Sequence, residues 1–96
     1  MIINLIAQNS YKTLSASRQG DALTINGEVF DFTAIPEGAT LPAEAIVSEW
    51  LSGDIERING EIVLTLLIPV TEKSTAKANF PSPLINPANG VLEFPK

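Results

Sequence analysis

A chain of 96 residues has room for one domain and one modest core, because at this size roughly 60–65% of the unfolded chain's surface can be buried. With no cysteine there is no disulfide framework, and with neither Cys nor His the ligands that zinc, copper and iron-sulfur sites need are missing. Eleven Asp and Glu against six Lys and Arg give a net charge of -5, which repels polyphosphate and anionic lipid, so neither nucleic acid nor a membrane surface is expected as a partner.

The run Met1 to Ala7 is apolar, but no basic segment precedes it and it ends at Gln8 and Asn9. It is too short for a secretion signal or a spanning helix, and neither is expected. Ile2 to Ile6 reads instead as a strand with weak face preference, and Leu14 to Arg18 as a second short strand ending at Gly20.

The strongest local signals are two copies of Ile-Asn-Gly-Glu, at residues 25–28 and 58–61. Asn-Gly between alternating apolar residues favours a type I′ hairpin, because both central residues must adopt positive φ. Around Asn26 and Gly27 this geometry opposes Ile25 to Glu28, Leu23 to Phe30 and Asp21 to Phe32. One face then holds Leu23, Ile25, Phe30 and Phe32, and the other Ala22, Thr24, Val29 and Asp31, as in a sheet with one wet side.

Between the hairpins, Pro36 and Gly38 punctuate a turn, and Pro42 is a favourable first residue for one or two helical turns over Ala43 to Ile46. A regular ladder around Asn59 and Gly60 opposes Arg57 to Ile62, Ile55 to Leu64, Gly53 to Leu66 and Leu51 to Ile68. Its core face is Leu51, Ile55, Ile62, Leu64, Leu66 and Ile68. The reverse face, Asp54, Glu56, Ile58, Glu61, Val63, Thr65 and Leu67, starts polar and turns apolar toward Leu67, which predicts cover on both sides at that end.

After Pro69 the composition shifts. Residues 71–79 are polar, and Pro81, Pro83, Pro87 and Pro95 restrict regular pairing, so residues 80–96 read as an extended arm with a last short strand at Val91 to Phe94. The arm can dock on its own domain, residues 1–79, or on a neighbour. The fold class expected is mainly β: a small antiparallel sheet or sandwich built on two Asn-Gly hairpins, with one short helical turn and a Pro-rich C-terminal arm.

Chemistry finds little to work with. Nucleophilic schemes that depend on histidine lack their base, and the six glycines stand singly, without a phosphate-binding loop. Asp54 and Glu56, two apart on a strand, would share a face about 6.5 Å apart, between the separations used by retaining and inverting glycosidases. The bland reading is that they are solvated residues blunting a sheet edge. The same carboxylates could face a hard cation, but no calcium-binding loop pattern accompanies them. No enzyme activity, cofactor or metal is expected.

Four residues are candidates for partner contact. Trp50 is the only tryptophan, a residue type enriched at binding hot spots; a strand running through it would turn it away from the core face, whereas a strand starting later would let it turn inward. Arg57 falls on the apolar face beside a hairpin tip, where it either snorkels and pairs with a carboxylate or reaches a partner. Phe80 and Phe94 in the arm serve either as core cover or as contact residues.

The segments Gly-Asp-Ala-Leu-Thr-Ile-Asn-Gly-Glu-Val-Phe-Asp-Phe (20–32), Ile-Pro-Glu-Gly-Ala-Thr-Leu-Pro (35–42) and Ser-Glu-Trp-Leu-Ser-Gly-Asp-Ile-Glu-Arg-Ile-Asn-Gly-Glu (48–61) have a collective likeness. Together with the strand Ile62 to Pro69 and Phe80-Pro81-Ser82-Pro83, they resemble small uncharacterised proteins from tail-gene regions of tailed phages and prophages of Gram-negative bacteria. The resemblance covers more than half of the chain and implies a phage or prophage product in the host cytoplasm or the virion. It implies no catalytic residues.

The function expected is a non-catalytic tail-associated structural or assembly accessory protein acting by protein-protein interaction, with tail or other protein components as partners. Exposed strand edges leave room for self-association, with a two-fold dimer as its default form. The alternative is an acidic inhibitor of a host enzyme or defence complex, with Glu44, Glu49, Asp54, Glu56 and Glu61 imitating a phosphate backbone.

Overall fold

The computed structural model describes residues 1–71 and 81–94. Within these residues nine strands form two sheets: β1 (Ile2–Asn9), β2 (Ala16–Gln19), β3 (Ala22–Ile25), β4 (Glu28–Asp31), β5 (Thr40–Leu41), β6 (Leu51–Ile58), β7 (Glu61–Val70), β8 (Leu84–Ile85) and β9 (Gly90–Val91). The first sheet has the order β5-β6-β7-β1-β8 and the second β4-β3-β2-β9. Their inner faces enclose one apolar cluster to which both contribute, Ile3, Ile55, Ile62, Leu64 and Leu66 from the first sheet and Ala16, Leu23 and Ile25 from the second. The chain is thus a small β-sandwich.

Both Asn-Gly turns have the backbone that their sequence demands, with φ of 48° at Asn26 and 87° at Gly27, and 52° at Asn59 and 79° at Gly60. The first hairpin has the expected register, Ile25 opposite Glu28 and Leu23 opposite Phe30, and Phe32 N–H donates to the Asp21 carbonyl at 3.0 Å. Leu23, Ile25 and Phe32 are buried, while Val29 and Asp31 on the opposite face are exposed.

The second hairpin departs from a regular ladder. Arg57 lies opposite Ile62 as expected, but Leu51 lies opposite Leu66 rather than Ile68, because the register shifts between Ser52 and Glu56. Two extra residues, Gly53 and Asp54, are accommodated there, and Gly53 takes a φ of 74° that a side chain would resist. An even insertion preserves the facing of everything beyond it, so the core face still holds Leu51, Ile55, Ile62, Leu64, Leu66 and Ile68.

Non-local pairing completes the first sheet. β1 lies parallel to β7 over its whole length, from Ile2 opposite Val63 to Asn9 opposite Val70, which makes β7 a central strand. This explains its two faces: Ile62, Leu64, Leu66, Ile68 and Val70 are buried, and the alternate residues are half-buried. The helical element between the hairpins is a single 3-10 turn, Ala43–Ala45.

The described part of the C-terminal arm packs on the sandwich and adds one short strand to each sheet. β8 pairs with Ile2 and Ile3 of β1, and β9 with Ser17 and Arg18 of β2. Asn89 Oδ1 accepts the Gly20 N–H at 3.0 Å, the Pro87 carbonyl accepts from the Arg18 guanidinium, and Leu92 N–H donates to the Ala16 carbonyl at 2.9 Å. The last strand therefore falls at Gly90–Val91, earlier than the sequence suggested, and Leu92 beyond it is buried.

Candidate functional site

The two sheets differ in what they turn outward. On the second, the register aligns Val91, Ser17, Thr24 and Val29 in one row and Gln19, Ala22 and Asp31 in another, an outer face of small and polar side chains with the exposed valines Val29 and Val91 at its two ends. On the first, Ile85, Ile2 and Val63 align in one row and Ile6 and Leu67 in another, with Ile58 beside them on β6. Ile6, Ile58 and Ile85 are 49%, 46% and 60% exposed. Asn4, Thr65 and Ser52 form a polar row between the two aliphatic rows, and Glu56 and Glu61 lie beside Val63 and Ile58, so the outer face carries aliphatic side chains on four adjoining strands interleaved with polar ones. Exposed aliphatic side chains gathered on one face are a feature of association surfaces.

The sequence points to the β6–β7 part of this face, polar first and apolar toward Leu67, but not to the part that β1 adds, although a signal for that exists. The doublets Ile2-Ile3 and Leu5-Ile6 put one large apolar side chain on each side of β1, and that is why the strand shows weak face preference. Ile3 and Leu5 are buried, while Ile2 and Ile6 go to the outer face.

Of the four candidate contact residues, Trp50 is buried at 7% exposure. β6 begins one residue later, at Leu51, and the bend at Glu49 and Trp50 turns the indole inward, where it joins the core cluster. Its carbonyl accepts the Leu67 N–H at 2.7 Å. Phe94 is half-buried against the same core. Phe80 lies outside the described residues.

Arg57 is a hub inside the molecule. Its guanidinium donates to the carbonyls of Ile35, Gly60 (3.1 Å), Phe32 and Thr33 (both 3.4 Å) and pairs with Asp21 at 2.9 Å. Its planar fork thus holds the tip of the β6–β7 hairpin, the turn after β4 and the β2–β3 turn together.

The carboxylates are spread over separate structural tasks. Asp54 accepts the Ala43 N–H at 2.9 Å at the start of the 3-10 turn, because the bulge swings it there; the bulge also removes it from the regular spacing that would have set it beside Glu56. Glu37 accepts both the Asn59 N–H (2.9 Å) and the Gly60 N–H, capping the second hairpin turn. Glu49 pairs with Lys12 at 2.8 Å. Hydrogen bonds from the Thr33 hydroxyl and then the Thr33 N–H hold the Asp31 carboxyl below its ordinary pKa. Among the described residues no group of three or more acidic side chains converges as a metal site would require, and no helix is long and apolar enough to cross a membrane.

No family model, curated protein or solved structure matches the chain. The geometry of its own surfaces is therefore the guide to what it does.

Proposed function

We propose that this chain is a non-catalytic structural or assembly accessory protein of a phage tail, acting by protein-protein interaction. The observation that carries the interaction reading is the aliphatic content of the first sheet's exterior, where Ile6, Ile58 and Ile85 are exposed and Ile2, Val63 and Leu67 half-buried. Leaving so much aliphatic surface in water is unfavourable by about 25 cal/mol per Å2, and covering it with another protein recovers that free energy. The resemblance of the segments between Asp21 and Pro69 to tail-region proteins supports the choice of partner.

The carboxylates support the non-catalytic half of the reading. Asp21, Asp31, Glu37, Glu49 and Asp54 each hold a turn, a bulge or a neighbouring segment in place. Among the described residues no three of them converge, whereas acid-base chemistry needs groups gathered on one substrate.

The test is genetic and biochemical. Deleting the gene from the prophage should give defective or fewer tails, and the tagged protein should recover a tail component from induced cells. Normal tails together with no recovered tail protein would overturn the proposal.

A further inference from the structure

Among the described residues the second sheet ends one strand short of the first, and none of them pairs with the outer edge of its last strand, β4. In a two-residue type I′ hairpin the closing pair, Ile25 and Glu28, exchanges ladder hydrogen bonds, and bonded and non-bonded pairs then alternate. The bond from Phe32 N–H to the Asp21 carbonyl fits that phase. It follows that the N–H and C=O groups of Val29 and Asp31 point away from β3, toward the edge, where no described residue partners them.

Beside this edge runs a groove, two adjoining hollows of about 660 and 320 Å3 whose far wall is the segment after the 3-10 turn. Its floor is apolar, with Phe30 on one side and Ile46 on the other. Its charged lining is Glu28, Asp31 and Glu49, without any Lys or Arg. Lys12 reaches Glu49 from outside the groove, and no cation among the described residues pairs with Glu28 or Asp31.

We infer that β4 receives an extended basic segment of a partner protein by strand addition, as a fifth strand of the second sheet. The inference rests on reading the chain as an interaction module and names the chemistry of what it binds. Main-chain bonds to Val29 and Asp31 supply the docking, alternate apolar side chains enter the groove over Phe30 and Ile46, and the intervening Lys or Arg side chains, on the other face, meet Asp31. A second copy is a poor occupant. Pairing β4 with itself sets Glu28 and Asp31 of both copies in one short ladder with no cation to offset them.

The test uses the 15N-labelled chain and the capped peptide Lys-Val-Lys-Val-Lys-Val-Lys. The amides of Val29 and Asp31 shift on titration, and their hydrogen exchange slows by about tenfold or more, whereas Glu28 and Phe30 amides, already bonded to β3, change little. Replacing each Lys of the peptide by Glu abolishes the effect. Val29→Pro removes an edge donor without touching the β3–β4 ladder, and weakens binding by about tenfold or more. Should that variant fold poorly, exchange at Asp31 in the unaltered chain decides the matter.

Unshifted and unprotected Val29 and Asp31 amides, or equal binding of the Glu peptide, would overturn the inference. A tail component captured equally by the Val29→Pro variant but not by Ile6→Glu would overturn it too, while leaving the interaction reading intact. Capture of no tail component, with the peptide effects present, would remove the tail assignment and leave the edge inference standing.

Discussion

Arg57 Nη2 and Asp21 Oδ2 stand 2.9 Å apart, and this ion pair joins the hairpin tip of one sheet to the β2–β3 turn of the other. The Arg57 side chain is 14% exposed and that of Asp21 28%, so water screens the pair only in part. Arg57 also donates to four carbonyls, so one side chain ties three chain segments together at the sheet junction.

Replacing Arg57 by Lys keeps the charge but cannot span the five acceptors with a planar fork. Arg57→Lys should therefore destabilise the fold by about 1–3 kcal/mol in denaturant unfolding. Asp21→Asn, which loses the charge but keeps an acceptor, should cost less. Equal effects of the two would mean that the carbonyl contacts contribute nothing.

The two Ile-Asn-Gly-Glu turns share a backbone but not an anchor. The Asn26 side chain accepts the Ser15 N–H at 2.8 Å and donates to the Thr13 carbonyl at 3.0 Å, pinning the strand entry before β2, whereas the second turn is held through its backbone by Glu37. Glycine accepts positive φ at either position. Asn26→Gly should thus cost about 1–2 kcal/mol and Asn59→Gly no more than about 0.5, as read from thermal melts.

The bulge in β6 yields a parity test. Removing Gly53 alone would turn Leu51 from the core face to the outside, while removing Gly53 and Asp54 together would restore a regular ladder with Leu51 still inward. The single deletion should be the more destabilising of the two, even though the double deletion also loses the Asp54 cap on Ala43. Melting temperatures in the opposite order would refute the two-residue bulge.

The legible parts of this fold are those written locally. Asn26-Gly27 dictates a turn, the turn dictates a register, and alternation assigns the faces of β3 and β4. For the second hairpin the same logic holds from Asn59 back to Glu56 and then fails, since nothing marks Gly53 as a bulge glycine rather than an ordinary strand residue. The parallel pairing of β1 with β7 joins segments some sixty residues apart in the chain and leaves no local trace. β8 and β9, two residues each, are held by context more than by propensity. For the candidate surface, attention to rare residue types led to Trp50 and Arg57, which are committed internally, while the part of the apolar exterior that β1 adds lay in its unremarkable doublets.

Asp31 supplies a pH prediction. Thr33 donates to its ionised form twice, so the folded pKa lies below the ordinary 3.8, and the stabilisation is present above that value and lost as pH falls through the folded pKa. Carboxyl chemical shifts should show Asp31 titrating low, and Thr33→Ala should move it upward. A titration unchanged by Thr33→Ala would remove the hydroxyl as the main cause.

The most direct measurement is capture of tail components from induced cells by the wild-type chain and by Ile6→Glu, a change that places a charge beside Leu67 on the outer face of the first sheet without entering the core. The wild type should recover a tail structural protein, and the variant, with an unchanged circular dichroism spectrum and melting point, should lose it. Recovery undiminished in the folded variant, or no tail protein with either, would contradict an accessory protein that binds through this sheet face.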